Sequence, residues 1–337
     1  MQDYRFIIII FGEKHIGMLL TNLYSLARNV PGSRVSVFWQ DISSGIKNDF
    51  REAFPGIDFI DTNFDFSSDE IKRISSKTFM WNHAAKKFKN SNLCFIDVDM
   101  LVIKDISKFF DYAFDILFTY KNDRFPLNTG ILFCRGNNFE IFFEKWLKET
   151  LLILNNNQLL SRAISVKYPF GGADQMSFYR ILNYSKGVDK YELNLDNKKI
   201  IFKGVPCDIL NETTSTKIKD TTHIIHYKGG WQPILLMGKG FTKNRPKKES
   251  WEMYLLYLKT HKMALECFNK SLNKNYKLGS FGIKIPFYLS KIDFKENEPK
   301  YAIFYFFSCL GKVLDNMILL WKKYVLIKYN NKQYAEK

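Results

Sequence analysis

Apolar residues form short continuous runs that alternate with segments of helical spacing. Residues 4–11, YRFIIIIF, form a short β-branched run, which predicts a buried strand. In residues 18–29, MLLTNLYSLARN, apolar positions 19, 20, 23 and 26 have the spacing of a helix face. Because strands and helices keep alternating, the sequence predicts an α/β sheet with helices on both faces. Further strands are predicted at 33–41, 92–103, 114–121, 128–136 and 222–231, and further helices at 68–88 (with Ser68 as N-cap), 138–154 and 173–182.

The composition changes near residues 239–250, KGFTKNRPKKES. We predict a main domain over 1–240 and a basic, aromatic-rich helical region over 241–337. Apolar spacing in residues 251–268 predicts an amphipathic helix. Residues 301–329 are aromatic and apolar but are interrupted by charged residues. They predict either helices that lie in a membrane interface or a helical subdomain packed on the core or on another subunit.

Positive charge is concentrated in the last third of the chain. The net charge is +16, and residues 234–337 carry 20 Lys and Arg against 8 Asp and Glu, a net of +12. No nucleic-acid-binding motif accompanies these residues, so we do not expect a nucleic acid partner. The first apolar run is too short for a signal peptide, and none reaches the roughly 18–20 residues of a spanning helix. The five cysteines include no CxxC pair. These features predict a cytoplasmic protein, peripheral on the membrane.

Two carboxylates interrupt the apolar stretch LCFIDVDMLVIKD, residues 93–105. Side chains two apart on a strand point the same way, so Asp97 and Asp99 would face one crevice at the end of the strand. Oxygen ligands of this kind suit Mn²⁺ or Mg²⁺, and the flanking apolar runs favour such a site. The alternative is a pair of solvated aspartates in a turn.

The segment HIIHYKGGWQP, residues 223–233, offers a third metal ligand. His223 and His226 are three apart and face opposite sides of a strand, so at most one reaches the site. The neighbouring KGGW favours His226, since Lys228 would neutralise a phosphate and glycines permit its close approach. The alternative is a histidine that only packs at the end of the strand.

Two further segments carry candidate polar residues. In GGADQMSF, residues 171–178, Asp174 and Gln175 follow a glycine turn at the start of a predicted helix. Asp174 would be explained equally well as an N-cap. In PLNTGILF, residues 126–133, Asn128 precedes a strand and has the alternative of an ordinary turn asparagine.

In their order and spacing, these segments resemble GT-A-fold glycosyltransferases. The resemblance is greatest to the retaining glycosyltransferase family eight, which includes bacterial lipooligosaccharide galactosyltransferases and glycogenin, and it spans about residues 4–235. LYSLARN is similar to that family's SIYSLLKN-type segment, and FIDVDMLV matches its DxD strand. LNTGILF, ADQMSF and HYKGGWQP are similar to its FNAGVLL, DQD and HFxGxxKPW segments. In the last of these, Trp231–Gln232 stands in place of the motif's lysine.

The resemblance implies a GT-A, Rossmann-like fold with a mixed, mostly parallel sheet. It implies Mn²⁺ or Mg²⁺ at Asp97, Asp99 and His226, bridging the diphosphate of a nucleotide-sugar. Asp174 would bind the hydroxyls of the donor sugar, and Gln175 would lie beneath its anomeric carbon. The other implied contacts are Asn128 with the donor or acceptor sugar, Asp97 and Val98 with the nucleotide, and Lys228 and Gly229 with the diphosphate.

The segment after the first strand, FGEKHIG, differs from that family. Here Phe11 would stack on the base, with Gly12 beside it and Glu13 on the ribose. The family's arginine upstream of DxD is absent in register, and Lys77 is the nearest cation that would replace it.

These expectations predict a metal-dependent glycosyltransferase with a nucleotide-diphospho-sugar donor, UDP-sugar favoured, and a glycan or glycolipid acceptor. The reaction would retain configuration and serve bacterial surface polysaccharide or lipooligosaccharide synthesis at the inner-membrane surface. One alternative is an inverting GT-A enzyme with Asp123 or Asp174 as base. Another is a non-catalytic nucleotide- or glycan-binding module of the same fold.

Overall fold

A computed structural model of the chain describes residues 4–64, 75, 77–121, 126–165, 167, 170–213, 218–229, 231–237 and 251–283. Strands and helices alternate through this part of the chain. The strands are β1 Tyr4–Phe11, β2 Arg34–Gln40, β3 Asp58–Asp61, β4 Asn92–Asp97, β5 Met100–Val102, β6 Ile116–Tyr120, β7 Leu127–Cys134, β8 Lys190–Leu195, β9 Lys198–Pro206 and β10 Ile224–His226. The helices are α1 Ile16–Asn29, α2 Ser44–Ala53, α3 Lys77–Lys87, α4 Phe139–Leu154, α5 Asn157–Ile164, α6 Ala173–Leu182, α7 Cys207–Leu210, α8 Trp231–Met237 and α9 Trp251–Leu272.

The main sheet has eight strands in the order β3-β2-β1-β4-β7-β6-β9-β8. The β3, β2, β1 and β4 strands are parallel, as is the β6–β9 pair, whereas β7 runs antiparallel to both its neighbours and β8 antiparallel to β9. The prediction of a mixed, mostly parallel sheet is confirmed. The parallel pairing of the first strands is made possible by the long connections between them, because parallel neighbours require a crossover.

The apolar run of β1 serves both faces of this sheet. Ile8 and Ile10 belong to one buried cluster and Ile7 and Ile9 to another, as alternation along a strand requires. The first cluster packs against α1, α2 and α9, and the second against α3, α4 and α6. The predicted helices on both faces are therefore confirmed, and the ends of the strands are left to form a site.

The strand predicted over 92–103 is wrong in its extent. The chain leaves the main sheet after Asp97, and Met100–Val102 pairs with β10 in a separate two-stranded antiparallel sheet. In this small sheet Met100 lies opposite His226 and Val102 opposite Ile224. The strand predicted over 222–231 is correspondingly short, since after His226 the chain turns into α8.

Seven elements have no counterpart in the predicted pattern: α2, β3, α5, α7, α8, and the hairpin of β8 and β9. The hairpin turns at Asp196 and Asn197, whose φ angles of 47° and 62° lie in the left-handed region that aspartate and asparagine tolerate. The helix predicted over 68–88 is described from Lys77 onward, and its predicted N-cap Ser68 lies outside the described residues.

The helix predicted over 251–268 is observed as α9. Its apolar face joins the main core, and the rings of Phe268 on α9 and Phe50 on α2 are 5.0 Å apart. Beyond α9, Lys274 and Tyr276 both bond Asp49 of α2. The segment 301–329, predicted to lie at a membrane or to pack as helices, is outside the described residues. Among the described helices, none combines the length and apolar character needed to cross a membrane.

Candidate active site

The break between β4 and β5 creates the acidic centre of the site. Asp97 is the last residue of β4, level with Ile9 of the neighbouring strand β1. Val98 is half-buried and packs against the core, and Asp99 follows as a buried residue with 7% of its surface exposed. The two carboxylates therefore lie at the carboxyl edge of the parallel strands, where α/β folds bind their ligands.

The small sheet brings His226 to these carboxylates. Its Nε2 lies 3.0 Å from Oδ1 of Asp99 and 3.8 Å from Oδ2 of Asp97. One ligand atom from each of the three residues lies within 4.8 Å of the others, so the structure brings the three predicted ligands together. His223 is directed elsewhere, since its Nδ1 lies 2.8 Å from the carbonyl oxygen of Asp105.

A buried amide network fixes the imidazole of His226. Nδ1 of His226 lies 2.8 Å from Oδ1 of Asn211, an acceptor, so the ring proton is placed on Nδ1. Asn211 also accepts from Asn128 at 3.2 Å and donates to Thr119 at 2.9 Å. This arrangement directs Nε2 of the ring toward the two aspartates.

Asn128 is a buried part of this network. Its Nδ2 donates to Asn211, and its Oδ1 accepts from the amide of Gly130 at 3.0 Å. Both ends of the side-chain amide are used inside the protein, and only 2% of the residue's surface is exposed. As placed, Asn128 reaches the site through Asn211 and His226 and does not line it directly.

Gly130 lets the imidazole approach strand β7. A Cβ atom at this position would lie 2.7 Å from Cε1 and 2.9 Å from Nδ1 of His226, and 2.5 Å from Cε of Met100. Each distance is shorter than real Cβ contacts allow, so any larger residue would displace His226 or Met100. The glycine of the LNTGILF segment is therefore explained by its packing against the site.

Lys77, at the start of α3, joins the acidic centre to Asp174. Its Nζ lies 3.6 Å from Oδ2 of Asp97 and 3.2 Å from Oδ2 of Asp174, and it donates to the carbonyl oxygen of Thr129 at 3.2 Å. Thr129 Oγ1 donates to the same Asp174 oxygen at 2.7 Å. The N-cap explanation of Asp174 is wrong, because Gly172 is the N-cap residue of α6.

Burial and neighbouring charges shift the pKa values of the ionisable groups in the site in opposite directions. Burial raises the pKa of Asp99, but His226, Gln232 and His15 outweigh burial and hold that pKa below its usual value. Burial dominates at Asp97, together with the charges of Asp99 and Asp174, so its pKa is raised despite Lys77 and His226. Burial lowers the pKa of Lys77, yet the surrounding carboxylates raise it above its usual value.

The three converging ligands fit a divalent cation. Two carboxylates and one imidazole are ligands that Mn²⁺ accepts, and the Asn211 contact supplies the hydrogen bond that ligating histidines commonly make through their other ring nitrogen. Burial of Asp99 also favours a cation, because uncompensated carboxylates out of water are costly. The residues present therefore fit Mn²⁺ or Mg²⁺.

Gln175 and the turn after β10 lie at the same edge of the sheet. With its amide nitrogen donating, Gln175 bonds the carbonyl oxygens of Phe170 at 2.9 Å and Leu127 at 2.8 Å, so both amide hydrogens are used. Burial, and then the charge of Lys121, lowers the pKa of Lys228. Gly229 is exposed with φ of 58°, and nothing lies within 4 Å of a Cβ built on it.

The segment after β1 makes contacts of its own. Phe11 is half-buried against the core, and the amide of Gly12 donates to the carbonyl oxygen of Gln40 at 2.9 Å. Oε1 of Glu13 accepts from the backbone amide of Ser43 at 2.8 Å, and hydrogen bonds with the side chain and then the backbone of Ser43 lower the pKa of Glu13. Glu13 is exposed, and its contact with Ser43 directs it toward the start of α2.

Several residues of the site carried no local signal in the sequence. Asn211 contacts His226 and belongs to a segment without a motif of its own. Thr129 and Gln232 lie within the LNTGILF and HYKGGWQP segments, but those segments do not predict their contacts with Asp174 and Asp99. His15 acts on Asp99 through its charge and has a buried Nδ1 without a hydrogen bond among the described residues. Only the folded topology reveals these contacts.

Comparison with known proteins supports the fold. No protein-family model and no curated protein sequence matches this chain. The glycosyltransferase GlyE of Streptococcus pneumoniae TIGR4 is 12% identical with a TM-score of 0.53, covering 87% of this chain and 66% of GlyE. The apo form of GlyE is 11% identical with a TM-score of 0.50, covering 81% of this chain and 64% of GlyE. The galactosyltransferase LgtC, in complex with donor and acceptor sugar analogues, is 13% identical with a TM-score of 0.47, covering 77% of this chain and 95% of LgtC.

This chain spans just under two thirds of the GlyE chains it matches. At identities of 11% and 12% the common property is the fold, which these proteins share despite different sequences. The chain has the GT-A fold of glycosyltransferases.

Proposed function

We propose that this chain is a glycosyltransferase that moves a sugar from a nucleotide-diphospho-sugar to a glycan or lipid-linked acceptor. The observation that carries the proposal is the convergence of Asp97, Asp99 and His226 at the carboxyl edge of a GT-A sheet. Such a fold hosts many functions, so the activity is inferred from these side chains.

Asp97, Asp99 and His226 would hold Mn²⁺ or Mg²⁺. A bound divalent ion supplies positive charge to the diphosphate as the bond to the sugar breaks. The protein contributes cations of its own, since Lys77 lies beside Asp97 and Lys228 follows the metal-binding histidine by two residues. Lys228 and Gly229 would meet the diphosphate, where an exposed glycine with positive φ permits close backbone approach.

Asp174 and Gln175 would face the donor sugar. The Lys77 and Thr129 contacts are both made to Oδ2 of Asp174 and fix its carboxylate, which favours a role in orienting the donor sugar over a role as the base of an inverting reaction. Gln175 has both amide hydrogens engaged, so its amide oxygen is the group available to stabilise a positively charged sugar. The other inverting candidate, Asp123, lies outside the described residues.

The donor, the acceptor and the cellular location are inferred from the resemblance and from the distribution of charge. The resemblance to family eight favours a UDP-sugar and a role in bacterial surface polysaccharide or lipooligosaccharide synthesis. Phe11 and Gly12 would contact the base, with Glu13 toward the ribose and Val98 beside the nucleotide. The net charge of +12 over residues 234–337 supports a peripheral position on the anionic, cytoplasmic face of the inner membrane.

The test is turnover of a panel of nucleotide-sugars by the full chain, with Mn²⁺ and with EDTA. We expect release of nucleoside diphosphate from one donor with Mn²⁺, loss of that release in EDTA, and loss in Asp97→Asn and Asp99→Asn. Equal turnover in Mn²⁺ and EDTA would contradict the metal role. NMR of the product's anomeric carbon distinguishes retention from inversion, and donor binding without turnover on any acceptor would favour a non-catalytic binding module.

A further inference from the structure

We propose that Gln232 is a positioning residue that couples binding of the diphosphate to the metal ligand Asp99. The inference rests on the proposed function and concerns the place where the resembling family has a lysine. In this chain the side chain there is neutral, and its Nε2 donates to Oδ2 of Asp99 at 3.2 Å.

The two oxygens of Asp99 are held by two parts of one short segment. Oδ1 lies 3.0 Å from Nε2 of His226, and Oδ2 accepts from Gln232. The backbone carbonyl of Asp99 also accepts from the amide of Tyr227 at 2.8 Å. Three residues of this segment, His226, Tyr227 and Gln232, therefore contact the backbone or the carboxylate of Asp99, which has only 7% of its surface exposed.

The same segment contains the turn proposed to meet the diphosphate. The amide of Gln232 donates to the carbonyl oxygen of Gly229 at 3.2 Å, and the amide of Trp231 donates to that of Lys228 at 3.2 Å. A displacement of the turn on binding a diphosphate is thus transmitted to the Gln232 side chain. Since Gln232 orients a carboxylate oxygen, diphosphate binding changes how well Asp99 is placed for a cation, and the coupling is reciprocal.

A lysine at this position would act differently. Its ammonium would approach Asp99 as a charge that competes with the cation, whereas the amide orients the carboxylate without neutralising it. The chain instead carries its lysine at position 228, on the other side of the glycine turn. Two residues thus have different roles: Lys228 provides positive charge for the diphosphate, and Gln232 orients the carboxylate of Asp99.

The experiment measures Mn²⁺ binding to the full chain by electron paramagnetic resonance of free Mn²⁺, without and with UDP, and needs no turnover. Gln232→Met keeps the length of the side chain but removes the donor. We expect Mn²⁺ affinity without UDP to fall roughly tenfold, as for other partners of metal ligands. In the original chain we expect UDP to raise the Mn²⁺ affinity about fivefold or more. In Gln232→Met we expect UDP to leave the Mn²⁺ affinity nearly unchanged.

Gln158→Met, on the exposed surface of α5, is the matched control and should keep both values. Gln232→Ala repeats the test with a smaller side chain, and thermal unfolding establishes that each variant is folded. The proposal would be overturned if Gln232→Met kept the Mn²⁺ affinity of the original chain and its gain on adding UDP. It would also be overturned if only Gln232→Ala lost Mn²⁺ affinity, because that result would indicate that Gln232 acts through packing and not through its amide. A chain that binds neither Mn²⁺ nor UDP would instead overturn the proposed function, and this inference with it.

Discussion

Asn211 Oδ1 lies 2.8 Å from Nδ1 of His226, on the side of the ring opposite the two aspartates. The contact places a ring proton on Nδ1 and thereby orients Nε2 toward the place where a cation would bind. Neither residue is near the other in the predicted pattern, and the small sheet of β5 and β10 brings His226 into position. The geometry of this pair supports the first prediction.

Replacing Asn211 with Leu removes the acceptor without adding a charge. We expect Mn²⁺ affinity to fall about 10–100-fold, because partners of ligating histidines commonly contribute that much. Calorimetric titration with Mn²⁺ measures the effect. Asn137→Leu, at an exposed position, is the control and should bind as the original chain does. Unchanged affinity in Asn211→Leu would show that the contact does not set the ring orientation.

Replacing Gly130 with Ala places a methyl group against His226 and Met100. Overpacking of this kind costs about 1–3 kcal/mol in the free energy of unfolding. We also expect weaker Mn²⁺ binding, since the imidazole must move. Gly56→Ala is the matched control, because Gly56 is exposed and a Cβ there meets nothing within 4 Å. Urea unfolding and Mn²⁺ titration of both variants check the prediction, and equal behaviour would refute it.

Replacing Lys77 with Met leaves Asp97 and Asp174 without their shared cation. Removing one member of a buried charge cluster typically costs about 3–5 kcal/mol in the free energy of unfolding. Mn²⁺ supplies positive charge at the same place, so its stabilising effect should be larger in this variant than in the original chain. Thermal unfolding with and without Mn²⁺ provides the measurement. A smaller Mn²⁺-induced shift in Lys77→Met would indicate that Lys77 helps to build the metal site.

His261 on α9 predicts a dependence of stability on pH. The ring is fully buried and bonds Thr21 at 2.8 Å, and burial lowers its pKa from 6.5 to about 4. The folded state disfavours the protonated ring. The contribution of the neutral ring to the free energy of unfolding is therefore complete above pH 6.5 and is lost as the pH falls toward 4. The difference corresponds to about 3 kcal/mol in the free energy of unfolding.

The measurement compares urea unfolding of the original chain and of His261→Gln at pH 7, 6, 5 and 4. The stability difference between the two should shift in favour of the variant as the pH falls. His83→Gln, at an exposed position of α3, controls for the loss of any histidine. Parallel pH curves for the original chain and His261→Gln would mean that His261 does not titrate in this range.

Much of the site could be predicted because its residues stand beside apolar runs. Asp97 and Asp99 interrupt a strongly apolar stretch, where unpaired carboxylates are costly and therefore informative. His226 was distinguished from His223 by strand alternation and by the adjacent glycine turn, and the structure places His226 at the carboxylates. These signals are local, so the sequence alone contains them.

Contacts that depend on distant pairing could not be predicted in the same way. The runs Leu93–Ile96 and Met100–Ile103, before and after the two aspartates, are equally apolar. No turn signal therefore marks the exit from the main sheet, which depends on β10 as a partner. Asn211 and Thr129 are ordinary polar residues until the sheet order brings them to His226 and Asp174. The β8–β9 hairpin was different, since the alternation of KYELNL and the Asp196–Asn197 turn offered a usable signal.

The passage of the chain from one sheet to the other between Asp97 and Asp99 has a mechanical consequence. One carboxylate moves with the eight-stranded sheet, whereas the other moves with the pair of β5 and β10. A cation held by both would connect two otherwise separate hydrogen-bonded ladders across a single residue, Val98. Its arrival should therefore restrict local opening of β10, and amide hydrogen exchange of Ile225 and His226 would slow in its presence.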